Sequence, residues 1–407
     1  MLACGPDAPF MYVNLCTMAT AKTKRTPKKT APQKATAKKT AASNAAAKKP
    51  AAAATNGSAG IEFKKTYTFR NYDHEYTHEE LGLSVENVMS MYQSMLLQRR
   101  FEERAAQMYG RQKIAGFLHL YIGQEAVSAS AAQAMRIGED YMITAYRDHG
   151  LGLALGMTPN ECMAELFGKI DGCSRGKGGS MHYFSKELNF MGGHGIVGGQ
   201  VPVGIGISFA CKYKETDNVC LTFLGDGAMQ QGAFHEACNL AGLYDLPAIV
   251  IVENNMYGMG TSVERSSAVT DLYTRAPGYA MHGAVADGMD VFNMYKTFSD
   301  LIELARKGEP SLLEIRTYRY RGHSMSDPGN YRTKEELAER KNDDPILRLK
   351  AYILEHDLAP PDDVEAIDAD CKQRVLDAVE FAENSPFPPL ETIYEDIYVQ
   401  DDYPFLV

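Results

Sequence analysis

One stretch constrains this chain more than any other: Val219 to Tyr257, reading VCLTFLGDGAMQQGAFHEACNLAGLYDLPAIVIVENNMY. A continuous apolar run, Val219 to Leu224, has the length and character of a strand buried on both faces. Gly225-Asp226-Gly227 breaks it. Small or apolar residues then recur at 234, 237, 238 and 241, which is one face of a helix, and Gly242 stands where that helix would stop. A second apolar run, Ala248 to Val252, leads into Glu253-Asn254-Asn255. Strand, helix and strand at this spacing make a βαβ unit, parallel and right-handed. Asp226 and Asn255 would then stand at the carboxyl ends of neighbouring strands, where open α/β sheets take ligands. A carboxylate, an amide oxygen and a backbone carbonyl, beside glycines that let phosphate approach, suit a magnesium ion that keeps phosphate oxygens among its ligands.

Charge divides the chain. Residues 1–60 hold ten Lys or Arg against Asp7 alone, whereas the whole chain carries −10, so the remainder is strongly acidic and a poor candidate for binding nucleic acid. From Ala19 to Gly60 the composition collapses to Ala, Lys, Thr and Pro, with nothing large and apolar to bury, which predicts a disordered tether. A docking arm for an acidic partner is the sharper alternative. Residues 1–18 lack the basic start of a secretory signal, and Met18 competes with Met1 as the first residue. No apolar run has the length of a membrane span. The eight cysteines form no C-x-x-C pair, and Cys220 and Cys238 fall on the apolar faces above, which fits a reducing compartment.

Folded structure is expected from about Ile61. Thr77-His78-Glu79-Glu80 and Ser84 both offer helix starts. Val85, Val88, Tyr92, Met95 and Leu96 predict a long amphipathic helix towards Gly110, with Arg99, Arg100, Glu102, Glu103 and Arg104 on its charged face. Gly123-Gln124-Glu125-Ala126 opens an Ala-rich helix, and Tyr141 to Ala145 reads as a short strand before Tyr146-Arg147. Eleven glycines in residues 172–206 predict a long irregular loop, the kind that usually carries function. Ala284 to Ala286, a helix over about 290–306 and Leu312 to Tyr318 extend the sheet and its cover, and a helical region follows Asp343-Asp344-Pro345. Of the histidines at 119, 149, 182, 194, 235 and 323, two stand out by context. His119 lies in a Gly-flanked apolar link and His323 in a Gly-His-Ser-Met-Ser loop after a strand, where an imidazole can move protons. Arg147, just after a strand, can fork onto phosphate oxygens.

With those residues in view, the chain resembles the alpha subunits of the first component of pyruvate dehydrogenase. The likeness rests on GDG…ENNMYGMGTSVER together with GFLHLYIGQEA, ITAYRDHG, GKGGSMHYF, GGHGIVGGQVP, TYRYRGHSMSDPG and PPLETIYEDIY, and it runs from about residue 66 to 407. It implies the α/β thiamine-diphosphate-binding fold, a mostly parallel sheet flanked by helices with helical N- and C-terminal extensions, in one domain over residues 61–407. It further implies thiamine diphosphate and Mg2+ as cofactors. Asp226, Asn255 and the Tyr257 carbonyl would bind the metal. Tyr146, Arg147, Gly227 and Ala228 would hold the diphosphate, while Gly195 and Val197 would meet the aminopyrimidine through their backbones. His119 and His323 would line the reacting centre, His323 also touching the cofactor. The implied partners are a beta subunit, in an assembly of two alpha and two beta chains, and the lipoyl-bearing dihydrolipoyl acetyltransferase. The bacterial cytoplasm is the first compartment implied and the mitochondrial matrix the second. Ser324 and Ser262 match serines phosphorylated in mitochondrial relatives, although local hydrogen bonding is the simpler role for both. The rival readings are a sister enzyme of branched-chain 2-oxo acids or acetoin and, from a different class, a scaffold or nucleic-acid-binding protein acting through the tail.

Overall fold

The computed structural model describes residues 65–398, so the expectations for the basic tail and the first methionine lie outside the described residues. The chain runs β1 (Phe69–Tyr72), α1 (Val85–Gly110), α2 (Glu125–Ala134), β2 (Tyr141–Ile143), α3 (His149–Leu155), α4 (Pro159–Leu166), α5 (Gln200–Tyr213), β3 (Cys220–Gly225), α6 (Gly232–Leu243) and β4 (Ala248–Asn254). A small hairpin follows, β5 (Tyr257–Gly258) and β6 (Thr261–Ser262), then α7 (Val263–Ser266), β7 (His282–Asp287), α8 (Val291–Arg306) and β8 (Ser311–Arg316). Three helices close the described chain: α9 (Lys334–Arg340), α10 (Pro345–Glu355) and α11 (Pro361–Asn384).

Six strands form one sheet in the order β1-β7-β8-β4-β3-β2, and every pairing is parallel. The two apolar runs read from the sequence are its centre: Cys220 pairs with Ala248 and Gly225 with Glu253. Alternation along these strands feeds two cores, because successive side chains leave opposite faces of a sheet. Leu221, Phe223, Ile249 and Ile251 join α1, α2 and α8 on one face, while Leu224, Val250 and Val252 join α5 and α6 on the other. The face predicted for α6 is the buried one, with Phe234, Ala237, Cys238 and Ala241 all inside. Among the described residues no helix is long and apolar enough to cross a membrane.

One local expectation is corrected. Thr77 and Glu80 do exchange the hydrogen bonds of a helix start. Only a turn results, since Gly82 at φ +66° diverts the chain and the long helix begins at Ser84 with its own capping box. The charged face of α1 is also less solvated than its composition suggests. Glu102 is fully buried, and Arg99 grips the Glu125 carboxylate through two nitrogens at 2.5 and 3.0 Å and pairs with Asp344 at 2.9 Å. These ion pairs clamp α1 to the start of α2 and to the N-terminus of α10.

Because all six strands are parallel, their carboxyl ends share one edge. The segments leaving β2, β3, β4 and β8 carry Arg147, Asp226, Asn255 and His323 to that edge. The sheet topology thus gathers residues far apart in sequence.

Candidate active site

A cavity of about 830 Å3 opens at this edge, lined by His119, Tyr146, Arg147, Gly195, Val197, Asp226, Gly227, Ala228, Asn255, Tyr257 and His323. Every residue expected at the metal, the cofactor or the reacting centre therefore lines one space.

At its floor Asp226 is buried, and its Oδ2 has no hydrogen-bond partner. Burial pushes the carboxyl up to about 6, since charge out of water is costly without a counter-ion. In the same cavity, two oxygens converge on a single nitrogen. Arg319 Nη1 donates to Asn255 Oδ1 at 3.4 Å and to the Tyr257 carbonyl at 3.2 Å. The amide and carbonyl oxygens are thus already aimed at a common cationic group. Gly227 and Gly258 approach so closely that a Cβ on either would sit about 3.1–3.2 Å from the other's Cα, which keeps the loop wall bare beside Asp226. Among the described residues no three His, Cys, Asp or Glu side chains cluster as metal ligands, so a metal here would draw on amide, carbonyl and ligand oxygens. An orphaned carboxylate oxygen beside two converging neutral oxygens fits Mg2+, which needs ligand oxygens to complete its shell.

Above the floor three rings meet. His119 lies 4.6 Å from Tyr146 and 5.2 Å from His323 between ring centroids, and Tyr146 and His323 are 5.5 Å apart. His119 Nδ1 is buried without a partner. Burial first, and the Arg147 cation next, lower His119 to about 3 and His323 to about 4. Both imidazoles are therefore neutral near pH 7, each with one donor and one acceptor nitrogen.

Arg147 lines the same cavity, and burial with the nearby Arg319 lowers it to about 10, so it stays a cation. Its Nη1 donates to the Leu120 carbonyl at 2.5 Å and its Nη2 to that of His323 at 2.9 Å. Part of its fork thus pins together the two loops that carry the histidines, and the rest is left for an anion.

Sequence reasoning passed over four residues that the structure places here. Arg319 is fully buried and also reaches the Met259 carbonyl at 3.2 Å and the Tyr331 hydroxyl at 2.9 Å. Asp327 accepts from the His323 backbone N–H at 2.6 Å and from Tyr331 at 3.0 Å, which closes the loop around His323. Gln124 and Glu253 line the same cavity, and burial pushes the Glu253 carboxyl up to about 7. An Arg in the TYRYRGHS run and a Glu directly before Asn254-Asn255 were the available signals. Of the two serines, Ser324 lines the cavity with its Oγ 2.9 Å from that of Ser326, and Ser262 precedes α7 without capping it through its side chain.

Residues 93–391 match the family described as Dehydrogenase E1 component. The chain is 50% identical over 315 residues to the pyruvate dehydrogenase E1 component subunit alpha of Rickettsia bellii, which covers 77% of this chain and 96% of that protein. The subunit of the same name from Rhizobium meliloti is 49% identical over 316 residues, covering 77% and 90% of the two chains. The mitochondrial one from Sminthopsis macroura is 47% identical over 322 residues, covering 78% and 87%.

Proposed function

The chain belongs to the dehydrogenase E1 component family, and we propose that it is the alpha subunit of a pyruvate dehydrogenase, decarboxylating pyruvate and passing the acetyl group to a lipoyl arm. One observation carries the reading of the site: the buried Asp226 Oδ2 has no partner, and Asp226 lines one cavity with Asn255 and Tyr257, whose side-chain and backbone oxygens share one Arg319 nitrogen. These three would hold Mg2+, and through it the diphosphate of thiamine diphosphate. Bound there, the cofactor supplies a thiazolium that stores the electrons released when carbon dioxide leaves. Tyr146 and Arg147, with the backbone at Gly227 and Ala228, would hold the diphosphate; Gly195 and Val197 would meet the aminopyrimidine.

His119 and His323 take the chemistry at the other end. Each is neutral, and each offers an N–H to the substrate carboxylate or keto oxygen and a lone pair to a proton in transit. Arg147 fixes the separation of their loops, so proton transfer starts from aligned groups rather than from a search. The basic surroundings favour an anionic 2-oxo acid, and the relatives named above favour pyruvate over branched-chain or acetoin substrates.

The carboxylate that activates the aminopyrimidine would come from a beta subunit, in an assembly of two alpha and two beta chains. Ile196 is 77% exposed and Val197 44%, an apolar lip at the cavity that such a partner would cover. The dihydrolipoyl acetyltransferase would then receive the acetyl group. A bacterial cytoplasm is the proposed setting. The test is co-purification with a candidate beta chain, followed by an assay of pyruvate against 2-oxoisovalerate. Turnover should require both thiamine diphosphate and Mg2+ and should prefer pyruvate. Appreciable decarboxylation by the pure, monodisperse chain alone would refute the shared site.

A further inference from the structure

Gln124 occupies the N-cap position of α2, yet its side chain makes no capping bond. It is fully buried, and its amide is spent in the cavity instead. Nε2 donates to Glu253 Oε1 at 3.3 Å, and Oε1 accepts from Asn255 Nδ2 at 3.0 Å. The Tyr121 hydroxyl donates to the same Glu253 oxygen at 2.5 Å. The run therefore leaves the end of β4 at Glu253, passes through the start of α2 and returns to Asn255, two residues further on. Asn254, between them, points the other way and donates to Glu314 at 2.8 Å.

The two ends of a carboxamide have nearly the same shape, so only hydrogen-bond partners decide which end faces a site. Glu253 Oε1 acts as an acceptor here and selects the NH2 end of Gln124. The Gln124 carbonyl then selects the NH2 end of Asn255. What remains is Asn255 Oδ1, turned towards the Arg319 guanidinium at 3.4 Å. With either link reversed, Asn255 would present an amide nitrogen, a donor, to a cation.

We propose that Gln124 and Glu253 are positioning residues that set the polarity of the Asn255 amide, so that its oxygen faces the cation site. The idea rests on the metal-binding reading of Asp226, Asn255 and Tyr257. Partners of this kind orient metal ligands in many sites, and losing one costs roughly 10- to 100-fold in metal affinity.

The test titrates Mn2+, an EPR-visible substitute for Mg2+, into the full chain assembled with its beta subunit in the presence of thiamine diphosphate. Gln124→Leu should weaken Mn2+ binding by roughly 10- to 100-fold. Gln124→Glu should also weaken it, because two carboxylates then face each other. Adding Glu253→Gln to Gln124→Glu should restore binding, since the donor and acceptor of that link are exchanged while Asn255 still meets an acceptor. Asp226→Ala serves as the reference for the metal site itself. Loss of Mn2+ in Asp226→Ala with unchanged affinity in Gln124→Leu would overturn the positioning role alone. Unchanged affinity in Asp226→Ala would overturn the metal reading beneath it. If the paired exchange restores nothing, or if the metal-free melting temperature accounts for every loss, the role is only structural and the proposal fails.

Discussion

At the floor of the cavity burial raises Asp226 to about 6, whereas at the mouth the same burial lowers His119 to about 3 and His323 to about 4. One physical effect, loss of water, disfavours the charged form at both ends. The chemistry of the groups makes the outcomes opposite. The floor holds a buried acid, while the mouth holds bases kept neutral beside cations. Arg147 and Arg319 line the same cavity, and under the proposed reading their charge would suit a diphosphate. The contrast is between a carboxyl raised by burial and two imidazoles lowered by it within one cavity, which under the proposed reading would serve a metal and proton movement respectively.

The severest challenge to that contrast is removal of the floor's acid. Asp226→Ala should take cofactor-dependent pyruvate turnover to background while circular dichroism stays native; an active variant would break the central assignment. Next is Arg147→Met, which removes both guanidinium bonds to the histidine loops and leaves the Met325 N–H bond to the Leu118 carbonyl between them. Charge-assisted bonds of this kind are each worth about 1.5–3 kcal/mol, so losing two should lower kcat/KM by roughly two to four orders of magnitude. A smaller effect is expected for Arg319→Lys. An ammonium keeps the charge but cannot span the carbonyls of Tyr257 and Met259, Asn255 Oδ1 and Tyr331 together, so Mg2+ dependence should shift by about tenfold.

The mildest test uses pH on the metal-free chain. Unfolded imidazoles ionise near 6.5 and the folded ones near 3 and 4, so the unfolded state binds more protons in between. The imidazoles' share of stability should therefore be intact above 6.5 and decline as pH falls from there towards 4, against an opposite share from Asp226 and Glu253, whose raised carboxyls take up protons in the folded state over that range. His119→Asn should flatten that slope in urea titrations at several pH values; an unchanged slope would show that the mouth is not the source.

Much of this was legible in the order of residues alone. The paired apolar runs gave the central strands, the spacing 234, 237, 238, 241 gave the buried face of α6, and the glycines flanking Asp226 marked a turn at a sheet edge. These signals are local, governed by side-chain alternation and turn chemistry. The false start at Thr77 shows where locality fails, since its hydrogen bonds form as the motif predicts and one glycine at φ +66° ends them. Gln124 gave no sign of its role, because nothing in Gly-Gln-Glu-Ala says that the amide will turn from the helix towards a strand end 129 residues away.

Sequence was therefore enough to give the family and to place Asp226 and Asn255 at the carboxyl ends of β3 and β4. It could not say which charges face each other there. Burial, the sharing of Arg147 between two carbonyls and the direction of the Asn255 amide depend on atoms brought together from β2, β4, β8 and α2. Electrostatics inside a protein is a property of such long-range neighbours and of excluded water, and neither is written in any one segment.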